Sequence, residues 1–230
     1  EPLGSDTAEQ AEAEEAAQED WRPDVAGAKA QVQSEAVEAL LEAYFGRNCS
    51  RATLVLPGGS GKTVAGLRAA EALAERGELR TVLVLLPTLD LVSQTVREWR
   101  GFGRWGPEGW AALAVCSRVA ERGLECSTDP RRVAEFLWGE GEREAPAGFV
   151  RAVFCTYHSN VRLTEAFMHG KDPQPFDFCI CDEAHETAGP EGKRFSRPLR
   201  DRYVPALRRL FMTATPRCFD RGAHGEQGMA

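Results

Sequence analysis

The stretch that most limits what this chain can fold into is Leu56-Pro57-Gly58-Gly59-Ser60-Gly61-Lys62-Thr63. It joins an apolar run, Ala52-Thr53-Leu54-Val55-Leu56, to a helical stripe of Val64, Leu67, Ala70 and Ala74 that stops at Gly77. The apolar run reads as a buried strand and the stripe as an amphipathic helix. Between them, Pro57, Gly58, Gly59, Ser60 and Gly61 let the backbone curl until successive N–H groups point inward, the geometry that cradles phosphate oxygens. Lys62 then reaches the outer phosphates, and the Thr63 hydroxyl is placed to ligate Mg²⁺. Leu56 stands where the general pattern has its first glycine.

The rest of the chain repeats the alternation. Thr81–Leu86 is a continuous apolar run of the kind a parallel sheet covered on both faces needs, and Pro87 breaks it. Asp90 is expected to cap a helix reaching Trp99, after which the glycine-rich segment 101–109 is irregular. Ala111–Cys116 reads as a third strand, Pro130–Trp138 as a helix and Gly139–Ala147 as an exposed loop. Two more strands, Phe149–Cys155 and Phe176–Cys181, precede a last one, Leu210–Met212. Upstream of the first strand, Ala36, Val37, Leu40, Leu41 and Tyr44 follow helical spacing within Gln33–Tyr44, and Gly46 ends that helix. Polar clusters follow the strands. The expected fold is therefore α/β, a P-loop NTPase with a parallel sheet flanked by helices and its ligand site along the carboxyl edge.

Charge divides the chain unevenly. The formal net charge is −7, yet residues 1–20 carry eight acids and no Lys or Arg, so the remainder is close to neutral. That leaves room for a local basic groove. The acidic tail is expected to be disordered or transiently helical, residues 21–217 to form the domain, and 218–230 to be a loose end. No apolar run is long enough to span a membrane and no secretory signal opens the chain, so an intracellular protein is expected. The seven cysteines show no metal-like pairing; Cys179 and Cys181, alternating about Ile180, read as core.

Asp182-Glu183-Ala184-His185 follows the strand Phe176–Cys181, 120 residues after Lys62. Nucleotide hydrolysis needs an acid at a strand tip to hold the metal and a carboxylate to orient and deprotonate water. Asp182 is assigned to the metal and Glu183 to the water.

Taken in order, LPGGSGKT, PTLDLVSQ, TYHS, DEAH with Thr187-Ala188-Gly189, and TATP resemble the first motor domain of superfamily 2 DEAD/DEAH helicases and translocases. The resemblance is nearest to the bacterial type with helicase-associated domains and to restriction-enzyme translocase subunits, and it covers about residues 30–217. It implies ATP and Mg²⁺ as cofactors. It also implies that Pro87, Thr88 and Gln94, and likewise Thr156 and Tyr157, lie along a nucleic-acid backbone, DNA being slightly favoured over RNA. Such contacts are to phosphate and read no sequence. Thr213 and Thr215, with His185 as neighbour, match the motif that couples the ATP site to the nucleic-acid track. Gln33 matches the adenine-contacting glutamine of relatives, with an exposed helix residue as the other reading, because Arg22-Pro23 stands further upstream than in the family pattern. Relatives often carry threonine at the position of Gly58.

The implied function is the ATP-binding and ATP-hydrolysing half of a nucleic-acid-dependent motor that works with a second RecA-like domain. The chain stops soon after TATP, before any such domain or its arginine-bearing motif. On its own it is expected to bind ATP–Mg²⁺, hydrolyse it slowly and unwind nothing. The alternative is a catalytically weak binding module acting through protein contacts. A small-molecule kinase would leave TATP and PTLDLVSQ without a purpose.

Overall fold

The computed structural model describes residues 25–118, 121–139, 145–187 and 200–215. The acidic tail, Arg22-Pro23, most of the 139–147 loop, Ala188-Gly189, Pro216 and the segment 218–230 lie outside the described residues. In chain order the elements are α1 (Val25–Leu41) continued by a π-helical turn (Glu42–Gly46), β1 (Arg51–Val55), α2 (Lys62–Glu75), β2 (Thr81–Leu86), α3 (Leu89–Phe102), β3 (Trp110–Val115), β4 (Glu125–Cys126), α4 (Pro130–Trp138), β5 (Val150–Thr156), α5 (Asn160–Phe167), β6 (Phe176–Cys181) and β7 (Ala206–Thr213).

The seven strands form one sheet in the order β1-β7-β6-β2-β5-β3-β4, and every pairing is parallel. Parallel strands need crossovers and covered faces. The alternation of side chains supplies both. Val82, Val84 and Leu86 of β2, with Ala152 and Phe154 of β5, Phe178 and Ile180 of β6 and Leu210 and Met212 of β7, face the layer that includes Leu40, Leu67, Leu73, Val92, Val96 and Trp99. Leu83, Leu85, Val153, Cys155, Cys179 and Cys181 face the opposite layer, with Val133, Leu137, Leu163 and Ala166. Cys179 and Cys181 are thus core residues, as expected. Asp177 locks the start of β2 to β6: its Oδ2 accepts from the N–H groups of Arg80 and Thr81 at 2.7 and 2.9 Å.

Four local expectations change. The first helix starts at Val25, ahead of Gln33, and ends at Gly46. The helix after β2 is capped by Thr88 rather than Asp90: Thr88 Oγ1 accepts from Leu91 N at 3.3 Å, while Asp90 lies in the first turn. That helix also runs past Gly101 to Phe102. The last strand extends back to Ala206 through two arginines that no strand pattern favours. Both have partners: Arg209, almost wholly buried, donates to Asp201 and to the carbonyl of Val204, and Arg208 bonds Glu78 at 2.8 Å and lies over the Phe45 ring. Elements absent from the sequence reading are α5 and the two-residue β4.

Candidate active site on the carboxyl edge of the sheet

Because all strands run the same way, their carboxyl ends share one edge, and the sheet order divides the connecting turns into two groups. On one side lie the phosphate loop after β1, the Thr213–Thr215 turn after β7 and the Asp182–Glu183 turn after β6. On the other lie Pro87-Thr88 after β2, Thr156-Tyr157 at the end of β5 and Ser117 after β3.

The loop is tied at its start by Leu56 N, which donates to Thr213 O at 3.1 Å, and within by Ser60, whose N–H and hydroxyl both donate to Pro57 O. Gly59 and Gly61 adopt φ of 74° and 86°, a region closed to most L-residues. Leu56 does not, so leucine is tolerated there. A Cβ at Gly58 would meet nothing within 4 Å, whereas one at Gly61 would lie 2.4 Å from Gln33 Nε2. Gln33 therefore rests directly against the loop, half-buried, at the start of α2.

Lys62 Nζ faces Glu183 Oε1 at 3.9 Å. Glu183 Oε2 is 3.3 Å from His185 Nδ1, which is 3.2 Å from Thr213 Oγ1. Thr213 Oγ1 in turn donates to Thr215 O and accepts from Thr215 N, each at 3.2 Å. His185 Nδ1 lies between the Glu183 carboxylate and the Thr213 hydroxyl. Lys62, Glu183, His185, Thr213 and Thr215 thus form one polar chain. Thr63 lies in the first turn of α2 beside Lys62.

Asp182 is buried, and burial pushes its carboxyl up from the ordinary range to about 6, with the neighbouring Glu183 carboxylate adding to the rise and Lys62 opposing it. Its Oδ1 accepts from Glu183 N at 2.9 Å. The same turn holds Glu183 at φ 47°, one of two left-handed non-glycine residues among those described. Asp182 N donates to Leu85 O at 2.9 Å and the Tyr157 hydroxyl donates to Asp182 O at 2.8 Å, so the backbone of Asp182 is held on both sides and the carbonyl of the peptide before Glu183 by Tyr157.

A groove of about 700 Å³ runs along the other half of the edge, lined by Pro87, Thr88, Ser117, Thr128, Thr156 and the first turn of α5 including Arg162. Pro87, Thr88 and Thr156, which the resemblance aligns with a nucleic-acid backbone, line this groove, and Tyr157 and Gln94 of the same set are not part of its lining. Tyr157 is fully buried, its hydroxyl turned to Asp182, so its side chain is a support beneath the groove and not a contact surface. Gln94 is exposed and bonds Glu98 at 2.8 Å, one turn beyond the groove lining. In their place the groove presents His158, Ser159, Arg162, Ser117 and Thr128, which the sequence reading missed. Ser117 and Thr128 come after separate strands of the sheet edge, and no spacing in the sequence links them.

This parallel sheet, its left-handed glycine loop and the carboxylates at the tip of β6 make the chain the first RecA-like motor domain of a superfamily 2 helicase. More narrowly, the chain belongs to the family described as "Type III restriction enzyme, res subunit", whose model matches residues 28–218. A solved nuclease-deletion mutant of the Type ISP restriction-modification enzyme LlaGI, in complex with a DNA substrate mimic, is 27% identical, with a TM-score of 0.69 over 84% of this chain. The ATP-dependent Type ISP enzyme LlaBIII bound to DNA is 28% identical, with a TM-score of 0.65 over 80% of this chain. The chain spans 19% and 12% of the lengths of those two proteins. The Hef helicase domain of Pyrococcus furiosus shares the fold at 19% identity and a TM-score of 0.53, with 84% of this chain and 33% of that one covered. No curated protein sequence matches. Among the described residues no helix is long and apolar enough to cross a membrane.

Proposed function

We propose that this chain is the ATP-binding and ATP-hydrolysing half of a DNA-dependent translocase or helicase, with residues 21–217 as the motor domain. The observation that carries the reading is the convergence of Lys62, Glu183, His185 and Thr213 beside a loop whose glycines are already left-handed. A nucleotide fits the residues present: the loop is open at Gly58 and Gly59, and Lys62 has no carboxylate closer than the 3.9 Å contact across the cleft among the ion pairs of the described residues. No cluster of three or more metal-binding side chains occurs among the described residues. That suits Mg²⁺, which takes one or two protein oxygens and completes its shell with phosphates and water. Thr63 and Asp182 would hold it, and when bound it neutralises charge building on the phosphates.

The chain's own residues would then divide the work. Backbone N–H groups of Gly58–Thr63, apart from Ser60, whose N–H bonds Pro57 O, would bind phosphate oxygens and Lys62 would bridge the outer ones. Glu183 Oε would orient a water and take its proton. Gln33, which lies against Gly61, would meet the base. His185 and Thr213 would relay the state of Glu183 to the β7 turn. On the groove side, Pro87, Thr88 and Thr156 with Arg162 and Ser159 offer hydroxyls, N–H groups and a cation to a phosphate backbone, without reading bases. DNA is favoured because the relatives at 27% and 28% identity are DNA complexes. A second RecA-like domain would supply the arginine that completes such sites.

Steady-state ATP hydrolysis by the purified chain, with and without duplex DNA, single-stranded DNA or RNA, tests the proposal. Hydrolysis that rises with DNA and vanishes in Glu183→Gln, which should still bind ATP, is the expected result. Turnover that persists in Glu183→Gln would assign the water to another base, and absence of ATP binding would remove the reading altogether.

A further inference from the structure

The hydrolytic turn after β6 and the Tyr157 turn after β5 are separated by one strand. In the order β7-β6-β2-β5, the nucleotide-side turn comes after β6 and the groove-side turn after β5, with β2 between them. Tyr157 crosses that gap. It sits in the turn Tyr157–Ser159 directly between Thr156 and His158, both of which line the groove, and its hydroxyl reaches over the end of β2 to the carbonyl of Asp182 at 2.8 Å. The residue is fully buried, and its hydroxyl is the donor in that bond.

We infer that Tyr157 is a positioning residue that couples the groove to the hydrolytic turn: by holding the Asp182 carbonyl it sets the left-handed peptide from which Glu183 projects, and it moves with the groove floor. Three observations carry this. Glu183 has φ 47°, a conformation a glutamate does not hold without external support. Beside the local bond from Glu183 N to Asp182 Oδ1, the support comes from outside the turn: Tyr157 donates to the Asp182 carbonyl and Leu85 O accepts from the Asp182 N–H. Finally, the Tyr157 turn is itself built into the groove wall: Thr156 Oγ1 bonds Ser159 Oγ at 3.0 Å, and Asn160 Nδ2 donates to Tyr157 O. A ligand that shifts Ser159 or the start of α5 therefore pulls on the tyrosine. This path runs along β5 and β6. It is separate from the His185–Thr213 chain, which leaves the same Glu183 toward β7.

The inference rests on the proposed DNA-dependent hydrolysis, and the test keeps the two apart. Amide hydrogen exchange of the 182–185 turn in the wild-type chain, with and without a short DNA duplex, comes first; DNA should slow exchange there as well as at 156–162. Tyr157→Phe keeps the ring and removes only the hydroxyl. In that variant DNA and ATP affinities should stay within about twofold of wild type, because the side chain touches neither ligand, while the factor by which DNA stimulates turnover falls at least about fivefold. The protection of 182–185 by DNA should vanish while that of 156–162 remains. A kcat loss with unchanged KM for ATP and unchanged half-stimulating DNA concentration separates coupling from a merely structural role. Stimulation and transmitted protection equal to wild type would overturn the inference, as would a loss of DNA affinity in proportion to the loss of stimulation. A wild-type chain that binds no DNA would instead defeat the functional reading on which it stands, and the inference with it.

Discussion

Two backbone segments of this domain stand in the left-handed region within reach of one another, and they arrive there by opposite means. In the phosphate loop, Gly59 and Gly61 occupy φ 74° and 86° with no side chain to oppose it. At the β6 tip, Glu183 occupies φ 47° against its own Cβ, and the Asp182 it follows is held by Leu85, which accepts from its N–H, and by Tyr157, which donates to its carbonyl, both distant in sequence. The loop is shaped by its own residues. The hydrolytic turn is shaped by the sheet. A site built this way has a rigid cradle on one side and, on the other, a carboxylate whose aim depends on neighbours, which is where regulation by a second ligand has something to act on.

The largest effect that would break this comparison is on the loop side. Lys62→Ala should reduce affinity for a fluorescent ATP analogue by about 100-fold, about 3 kcal/mol, with little change in melting temperature; unchanged affinity would mean that the loop does not hold phosphate. Gly61→Ala comes next. The substitution meets both a left-handed φ and Gln33 Nε2 at 2.4 Å, so it should cost about 2 kcal/mol of stability in denaturant unfolding. A neutral result would show that the loop is free to rearrange.

Asp182→Asn sharpens the other side. The folded state raises this carboxyl to about 6 from an ordinary value of 3.8, so at pH 7 the chain without ligand holds an ionised group that burial disfavours. Stability therefore rises as pH falls through about 6 and the penalty is gone below the unfolded value. The asparagine variant should be more stable than wild type at pH 7 by on the order of 1–2 kcal/mol, and the gain should shrink to nothing near pH 4. Thermal melts at the two pH values check this, and a gain that persists at low pH would place its cause elsewhere. The smallest effect is expected from Gly58→Thr. Its φ is not left-handed and a Cβ there meets open space, so the variant should bind ATP normally and gain about 0.5 kcal/mol from a less flexible unfolded chain.

The nucleotide side of the edge was legible because each part is contiguous. A strand, four small residues, a lysine and a hydroxyl form a unit whose geometry arises from local sterics, and Asp182-Glu183 ends a strand whose apolar run is plain. The groove was legible only in part. Pro87, Thr88 and Thr156 stand at strand ends within recognisable motifs, whereas Ser117, though it follows a strand the sequence also shows, belongs to no motif, and Thr128 follows the two-residue β4, which meets the groove only when β3, β4 and β5 align. Tyr157 was misjudged for a related reason. Adjacency to Thr156 in sequence suggests a shared surface, but the turn at Tyr157–Ser159 sends its ring inward beneath the residues on either side. The missed half of β7 has a similar cause: Arg208 and Arg209 look like a charged turn until Glu78, Asp201 and Val204 are brought alongside.

From its residues alone the chain commits to alternating strands and helices, to the phosphate loop and to a pair of carboxylates at a strand tip, since apolar periodicity and glycine sterics act over a few residues. The order of strands in the sheet, the left-handed aim of Glu183, the polar chain from Lys62 to Thr215 and the tyrosine that spans β2 came only with the tertiary structure. Each of those joins groups tens to more than a hundred residues apart, and such partners are selected by packing and by the need of buried polar groups for hydrogen bonds, neither of which acts until the sheet has formed.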